Sequence, residues 1–270
     1  MRLPLPGRAI AYDLIGPQGV RSETAPVVCF CHSLASDMGM WAEQVPPLLE
    51  AGFRVLRLDM RGHGGSDPDG DAYTMAGLGD DVATVLDALG IDRVHYIGLS
   101  IGGMLGQAFA LNHTAKVASA MWCDTMPASP PGAADVWGPR MQAVRQAGSL
   151  AALGVPTMER WFTDAFQPRD PRRWQQIHDT IVTTPAAGYL GCAGAIMDYD
   201  FVPRLPSLKR PVLVVCGDGD AGTPPEANKR IASLVPGGRY EEIADARHFP
   251  NVEHPDVFNR LMLGWLSAQR

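Results

Sequence analysis

Short runs of hydrophobic residues recur along the chain, and each is closed by turn residues and followed by a longer segment with helical periodicity. The central runs are rich in Val, Ile and Leu on both faces, which is typical of parallel strands covered by helices on both sides. Gly52 and Gly90 end two helical segments at positions where a C-terminal cap is expected. This alternation predicts an α/β fold with a doubly wound, mostly parallel sheet. The predicted strands are residues 25–33, 53–60, 93–100, 116–125, 210–218 and 238–248.

The alternation stops between about residues 126 and 205, where helical windows are separated by proline-rich joints. The windows are residues 136–148, 158–166 and 172–184. We expect this insertion to form a helical cap over the carboxyl ends of the strands, where open α/β sheets bind ligands. The predicted domains are a core of residues 1–125 and 206–270 and a cap of residues 126–205.

The sharpest chemical signal is the segment GLSIG at residues 98–102, which follows the apolar run VHYI and precedes a helical window. A turn from strand to helix that presents a serine forces strained backbone angles, and Gly98 and Gly102 are the small residues that such a turn needs. In this context Ser100 is predicted to be a nucleophile. The alternative is a glycine-rich turn whose serine only caps the helix.

A serine hydroxyl is a poor nucleophile until a base takes its proton. The acid and the histidine should follow Ser100 in chain order, on loops after later strands. Of the seven histidines, His248 ends the last strand-like run and is predicted to be the base. His254, six residues later and before a proline, is interpreted as a surface or capping residue.

The acid must accept a hydrogen bond from His248, so it should lie at the end of a neighbouring strand. Asp220 follows the run PVLVVC and is favoured because its position deeper in the loop allows it to reach the histidine. Asp218 is then interpreted as a turn residue that bonds to backbone. Asp124, at the end of the preceding strand, remains a competitor because some enzymes of such a fold place the acid there.

Two backbone N–H groups should stabilise the oxyanion, those of Ile101 and of a residue after the first strong strand, which we expect to be Leu34. His32 and Ser33 precede Leu34 and are expected to brace this loop. The segment DMRGHGGS at residues 59–66 is interpreted as a structural turn, with Arg61 held by a carboxylate or carbonyl groups. The acidic loop DPDGDAY that follows is expected to be solvated.

The net charge of −6 opposes attraction to nucleic acid or to anionic lipid, because both require a basic face. The five cysteines show no metal-binding spacing, and an odd number without a secretory leader fits a reducing compartment. We therefore expect a cytoplasmic protein with no nucleic-acid or membrane partner. The composition leaves the oligomeric state open.

The motifs together resemble the 3-oxoadipate enol-lactonase family of α/β-hydrolases, over nearly the whole chain. The segments that carry this resemblance are HSLASDMGMW, RLDMRGHGGSD, GLSIGGMLGQ, ERWFTDAF, GYLGCAGAIMDYD, CGDGDAGTPPE and HFPNVEHPDVF. The resemblance implies the α/β-hydrolase fold, with the cap inserted after the sixth strand. It also implies a Ser100–His248–Asp220 triad that opens a small lactone bearing a carboxylate through an acyl-enzyme, without metal or cofactor. The segments LNHTAKV and WCDTMPASPPG depart from the family pattern.

On this basis the cap is expected to supply an apolar roof of Trp137, Trp161 and Tyr189, and Arg140 is expected to pair with the substrate carboxylate. These aromatic residues could instead fill the cap's own core. Two other functions are compatible with the sequence. One is a carboxylesterase or a hydrolase of larger lactones, and the other is a ligand-binding receptor on a hydrolase scaffold. The complete set of candidate triad residues weighs against the receptor.

Overall fold

The computed structural model describes residues 1–18, 23–70 and 72–269, and within them eight strands form one sheet. The strands are β1 Arg2–Leu5, β2 Arg8–Ile15, β3 Val27–Cys31, β4 Arg54–Leu58, β5 Val94–Leu99, β6 Val117–Cys123, β7 Val212–Gly217 and β8 Arg239–Ile243. Their order across the sheet is β1-β2-β4-β3-β5-β6-β7-β8. The pairs β1–β2 and β2–β4 are antiparallel, whereas the pairs from β4 to β8 are parallel. The predicted mostly parallel sheet is confirmed.

The central strands are covered on both faces. Every residue of β3, β5 and β7 is buried. Because successive side chains of a strand point to opposite faces, this burial requires helices or loops on both sides of the sheet. The central hydrophobic runs of the sequence are therefore parallel strands buried on both faces, as predicted.

The hairpin of β1 and β2 is absent from the predicted strands. It pairs Leu5 with Arg8 across its turn, and Gly7 lies in that turn with a φ of 76°. At this edge of the sheet β1 alternates between exposed and half-buried residues and β2 is mostly half-buried, so no continuous apolar run marks the hairpin. At the opposite edge, β8 ends at Ile243, earlier than the predicted strand 238–248.

The helices alternate with the strands as the sequence predicts. They are α1 Val45–Glu50, α2 Met75–Ala88, α3 Ile101–Asn112, α4 Ala133–Ala147, α5 Gly154–Trp161, α6 Phe166–Arg169, α7 Pro171–Thr183, α8 Ala186–Ile196, α9 Pro225–Leu234, α10 Pro250–Glu253 and α11 Pro255–Ser267. Gly52 and Gly90 follow α1 and α2 with φ angles of 82° and 64°, the left-handed conformation of C-terminal caps. None of the described helices has the length and apolar character needed to cross a membrane.

The segment between β6 and β7 contains α4 to α8, in agreement with the predicted cap helices. The predicted window 158–166 is not one helix, because Phe162 has extended backbone angles that end α5 before α6 begins. The helix α8 is not among the predicted windows, because small and apolar residues lie on nearly all of its faces and no polar face marks the helical period. The division into a core of 1–125 and 206–270 and a cap of 126–205 stays a prediction.

The turn at residues 59–66 is structural, as expected. Arg61 forms ion pairs with Asp81 and with Asp69, whose oxygen lies 2.8 Å from Nη1. The expectation that the following acidic loop is solvated is wrong for Asp69, because the guanidinium groups of Arg61 and Arg8 draw its carboxylate inward. Asp71 of the same loop lies outside the described residues.

Candidate active site

Ser100 occupies a strained turn between β5 and α3. Its φ of 58° and ψ of −120° lie in a region that residues other than glycine rarely adopt. Cys123, the last residue of β6, and Thr125, two residues later, hold this conformation through the backbone N–H and C=O of Ser100. The Ser100 N–H donates to Cys123 O at 2.9 Å, and the Thr125 hydroxyl donates to Ser100 O at 2.8 Å. The turn therefore fixes the serine before any substrate arrives.

Gly98 and Gly102 are required by close backbone contacts on either side of Ser100. A Cβ on Gly98 would lie 2.2 Å from Gly102 O, and one on Gly102 would lie 2.3 Å from Cys31 O. Any larger residue at these positions would push α3 away from the ends of β5 and β3. This contact is the physical reason for the glycine spacing that marked Ser100 in the sequence.

Asp220 and His248 are brought together by the loops after β7 and β8. His248 Nδ1 lies 2.7 Å from Asp220 Oδ2. This contact leaves the other ring nitrogen of His248 available for a serine or substrate oxygen. Both side chains are at least 92% buried, so water competes little for their hydrogen bond.

Thr223 completes the surroundings of Asp220. Its hydroxyl donates to Asp220 Oδ2 at 2.5 Å, and its N–H lies 3.2 Å from Oδ1. The Gly222 N–H donates to the same Oδ1 at 2.8 Å. Although burial favours the neutral acid, His248 and Thr223 together lower the pKa of Asp220, which makes it an ionised acceptor. The sequence analysis missed Thr223; its signal is the spacing Asp-x-Gly-Thr, which suits a side chain that caps its own loop.

Ser100 and His248 line the same cavity of about 370 Å³. No hydrogen bond joins their side chains in the part of the chain that the structure describes. Such bonds are often long in enzymes without substrate and tighten in the reacting complex. The structure thus brings Ser100, His248 and Asp220 to one end of the sheet, as the sequence predicted, while their catalytic roles stay predictions.

The two amides predicted to bind an oxyanion flank Ser100. Ile101 is the first residue of α3, and its N–H precedes the intrahelical bonds of that helix. Leu34 belongs to the loop after β3 and lines the cavity. Neither N–H donates to an acceptor among the described residues. The contact of Gly102 with Cys31 draws the two loops together.

Two buried histidines brace this loop. His32 Nδ1 lies 2.7 Å from Ser33 O, and His32 Nε2 accepts the Met60 N–H at 2.9 Å. His63 Nε2 accepts the Ala35 N–H at 3.2 Å. Burial and the neighbouring His32 lower the pKa of His63 to about 3, so this ring is a neutral acceptor near pH 7. The structure supports the bracing interpretation of His32.

The four cap residues predicted to contact substrate all line the cavity: Trp137, Arg140, Trp161 and Tyr189. The Arg140 guanidinium lies 5.5 Å from the centre of the Trp137 ring, within the range of a cation–π contact. Tyr189 is buried, and burial raises the pKa of its hydroxyl, so it stays protonated. Whether these residues bind substrate stays a prediction.

Trp161 connects the cap to the core. Its ring stacks on Phe249 with centroids 4.1 Å apart, and its centroid lies 6.3 Å from that of His248. This tryptophan therefore also packs outside the predicted cap, because Phe249 belongs to the loop that carries the candidate base, and its contact with substrate stays a prediction.

Arg160 is a second arginine of the cavity wall, and the sequence analysis missed it. Burial and the charge of Arg140, which lines the same cavity, lower the pKa of Arg160. Among the described residues, neither arginine has a carboxylate partner. Its only sequence signal was its position beside Trp161, which does not distinguish it from a surface arginine.

Asp124, Asp220 and His248 have ligand atoms within 4.8 Å of one another, a spacing that a metal ion could use. The oxygens of Asp220, however, already accept hydrogen bonds from Gly222, Thr223 and His248. A cation there would face N–H and O–H donors, so we assign these residues as hydrogen-bond partners and not as metal ligands.

The sheet topology, the turn at Ser100 and the Asp220–His248 pair define the class of the molecule. The family model described as "alpha/beta hydrolase fold" matches residues 26–255, and the chain belongs to this family. A curated relative, 3-oxoadipate enol-lactonase 1 of Acinetobacter baylyi, is 32% identical over 262 residues, which cover 97% of this chain and 94% of the relative.

Solved structures of an enol-lactonase and an esterase are also similar to this chain. The enol-lactonase from Burkholderia xenovorans LB400 is 34% identical, with a TM-score of 0.92 over 99% of this chain and 100% of that chain. A malate-bound thermophilic esterase from Thermogutta terrifontis is 27% identical, with a TM-score of 0.90 over 100% of this chain and 99% of that chain. The predicted α/β-hydrolase fold and the resemblance to enol-lactonases are confirmed, and so is the prediction that the chain is a hydrolase.

Proposed function

We propose that this chain hydrolyses a small lactone that carries a carboxylate, of the 3-oxoadipate enol-lactone class, with Ser100, His248 and Asp220 as its triad. The similarity to the enol-lactonases of Acinetobacter and Burkholderia supports this substrate class. The observation that carries the proposal is the composition of the single cavity at Ser100. It combines a nucleophile and a base on the core side with two arginines on the cap side.

The arginines favour an anionic substrate. Arg140 and Arg160 share the cavity wall, and neither has an ion-pair partner within the described residues. A carboxylate that binds between them would supply the missing countercharge, with charge-assisted hydrogen bonds that exceed neutral ones in strength. The same group would orient the lactone so that its carbonyl carbon faces Ser100. A roof of Trp137, Trp161 and Tyr189 would cover the apolar part of the ring.

In the first half of the reaction, Ser100 Oγ attacks the lactone carbonyl carbon while His248 Nε2 takes the hydroxyl proton. Asp220 stabilises the resulting imidazolium through its bond to Nδ1. The negative oxygen is bound by the amides of Ile101 and Leu34. Collapse breaks the ring C–O bond and leaves an ester on Ser100. The released enolate oxygen is a good leaving group and takes the proton held by His248.

In the second half, water attacks the ester carbonyl carbon and His248 takes its proton. The second tetrahedral intermediate uses the same two amides. Its collapse breaks the bond to Ser100 Oγ, which recovers the proton from His248, and the product leaves as a carboxylic acid that loses its proton to water. Each bond that forms or breaks is accounted for by side chains and amides of this chain together with water.

The cap of residues 126–205 is proposed to close the site. The helices α4, α5 and α8 each contribute residues to the cavity wall, opposite the loops of Ser100 and His248. Excluding bulk water in this way would strengthen the contacts with the oxyanion and with the substrate carboxylate.

The test is steady-state hydrolysis of a panel that contains the enol-lactone, neutral aryl esters and larger lactones. Ser100→Ala should lower kcat/KM for the enol-lactone by about 10⁶. Ser207→Ala is the matched control, because that hydroxyl bonds only to Arg204 O on the surface. Fast hydrolysis of the enol-lactone that depends on Ser100 supports the proposal.

The two other functions give different results in the same panel. Ser100-dependent turnover of aryl esters or larger lactones alone would favour a carboxylesterase or a hydrolase of larger lactones. Equal and negligible rates for wild type and Ser100→Ala would favour a ligand-binding receptor. In either case the substrate proposed above would be discarded.

A further inference from the structure

Asp124 is a buried carboxyl group that the proposed reaction does not use. It follows β6, is fully buried, and has a φ of 44°. Its Oδ1 accepts the Gly217 N–H at 2.9 Å. Its Oδ2 is also buried, and no donor among the described residues bonds to it. A carboxyl oxygen buried without a donor is costly in its ionised form and therefore needs an explanation.

The surroundings of Asp124 overlap those of the proposed triad. An oxygen of Asp124, an oxygen of Asp220 and a ring nitrogen of His248 lie within 4.8 Å of one another. Two carboxyl groups at such a distance in a buried site are not both ionised, because like charges repel strongly there. The two carboxyl groups must therefore hold one proton between them.

The hydrogen bonds decide which group holds the proton. Asp220 accepts bonds from His248, Thr223 and Gly222. Asp124 accepts the Gly217 N–H, and among the described residues its other side-chain donor is the Cys216 thiol, which is a weak one. Donors favour the ionised form of an acid, so the charge belongs to Asp220 and the proton to Asp124. The Oδ2 without a donor is the atom where that proton would reside. Consistent with this, burial and the charge of Asp220 raise the pKa of Asp124 well above its usual range.

We propose that Asp124 is a neutral positioning residue whose O–H is directed at the Asp220 carboxylate and holds it in place for His248. This inference rests on the proposed function, because it assigns Asp220 as the ionised acid of the triad. It adds a fourth polar group behind that acid, at the end of the neighbouring strand.

The other groups that face Asp124 do not compete for this role. Cys216 and Cys123 are buried thiols, and burial raises the pKa of each, so they carry no charge near pH 7. Burial likewise raises the pKa of Tyr240, the nearby tyrosine of β8. Among the described residues, Asp220 is therefore the group whose charge raises the pKa of Asp124 most.

Two substitutions distinguish a positioning role of Asp124 from a requirement for its negative charge. Asp124→Asn keeps a neutral donor of the same shape, and Asp124→Gly removes the side chain. Both residue types tolerate the positive φ at this position. We expect Asp124→Asn to retain kcat for an aryl ester within about threefold, and Asp124→Gly to lower kcat by about tenfold with KM changed less than about twofold. Rescue by Asn would distinguish positioning from a charge requirement.

Chemical unfolding as a function of pH gives a second readout that needs no substrate. A carboxyl with a raised native pKa stabilises the fold below its unfolded pKa of about 4, and this stability is lost as the pH rises toward the native pKa. Asn does not titrate. The unfolding constant of wild type should therefore increase relative to that of Asp124→Asn by up to about tenfold per pH unit above pH 4.

Three results would overturn the inference. If Asp124→Asn loses as much kcat as Asp220→Asn, then Asp124 is an ionised acid. If both Asp124 variants keep the wild-type kcat, the residue positions nothing. If the wild-type and Asp124→Asn unfolding constants change in parallel with pH, the proton is not on Asp124. Failure of the proposed function is recognised separately, because wild type would then show no turnover that depends on Ser100.

Discussion

The carboxyl end of the sheet and the cap wall face each other across one cavity, but they are built differently. At the sheet, the Ser100 backbone is held by Cys123 and Thr125, and Asp220 has a donor for each of its oxygens. On the cap wall, Arg140 and Arg160 have no carboxylate partner among the described residues. The first region forms these contacts before a ligand binds, whereas the second has positive charges without a countercharge among the described residues.

This difference separates chemistry from recognition. Preorganised groups act on the transition state, so changes at the sheet should lower kcat. Groups that bind the substrate equally in the ground state and the transition state should affect KM. Substitutions in the two regions should therefore have kinetically distinguishable effects.

The largest effect expected beyond that of Ser100 itself is at Asp220. Asp220→Asn keeps the shape of the side chain but removes the charge that stabilises the His248 imidazolium, so kcat should fall by about 10⁴. Steady-state kinetics with an aryl ester measures this. Asp218→Asn is the matched control, because Asp218 lies on the exposed part of the same loop. Equal rates for the Asp220 and Asp218 variants would show that the acid lies elsewhere.

Gly102→Ala tests the rigidity of the sheet side. Its Cβ would lie 2.3 Å from Cys31 O, so the variant should lose about 3 kcal/mol of unfolding free energy and much of its activity. Gly194→Ala in α8 is the control, because its Cβ meets no atom within 4 Å and no proline follows it, and it should gain up to about 1 kcal/mol. Urea unfolding measures both. Similar losses for the two variants would remove the distinction between the regions.

Arg140→Gln tests the cap side. Loss of a charge-assisted bond should raise KM for the anionic lactone by about 10- to 100-fold and leave neutral aryl esters unaffected. Arg160→Gln should behave in the same way. Arg145→Gln, an exposed change on the same helix, is the control. A loss that is equal for anionic and neutral substrates would mean that these arginines shape the cavity and do not bind a carboxylate.

The smallest effect concerns acid stability. Because the pKa of Asp220 is lowered in the fold, its contribution is present above the unfolded pKa and is lost as the pH falls through the native value. Wild type should therefore lose up to about 1.4 kcal/mol per pH unit more than Asp220→Asn on acidification below about pH 4. Urea unfolding at several acidic pH values measures this, and identical slopes for the two proteins would contradict it.

The sequence predicted the sheet side better than the cap side, because the features of the sheet side leave local patterns in the sequence. Strands buried on both faces have unbroken apolar runs, and the glycine at position 98 is required by a contact with Gly102 in the same turn. The half-exposed β1–β2 hairpin lacks such a run. Thr223 could be suspected from local spacing, but Arg160 and the proximity of Asp124 to Asp220 depend on contacts between distant segments, which no local pattern records.

The central claim is that Ser100 forms the covalent intermediate, and labelling tests it most directly. The protein is treated with a fluorophosphonate ester and digested, and the modified peptide is identified by mass spectrometry. We predict one adduct per chain on Ser100, slower labelling of Asp220→Asn, and no adduct on Ser100→Ala although that variant is folded. An adduct on another residue, or undiminished lactone hydrolysis by Ser100→Ala, would contradict the account.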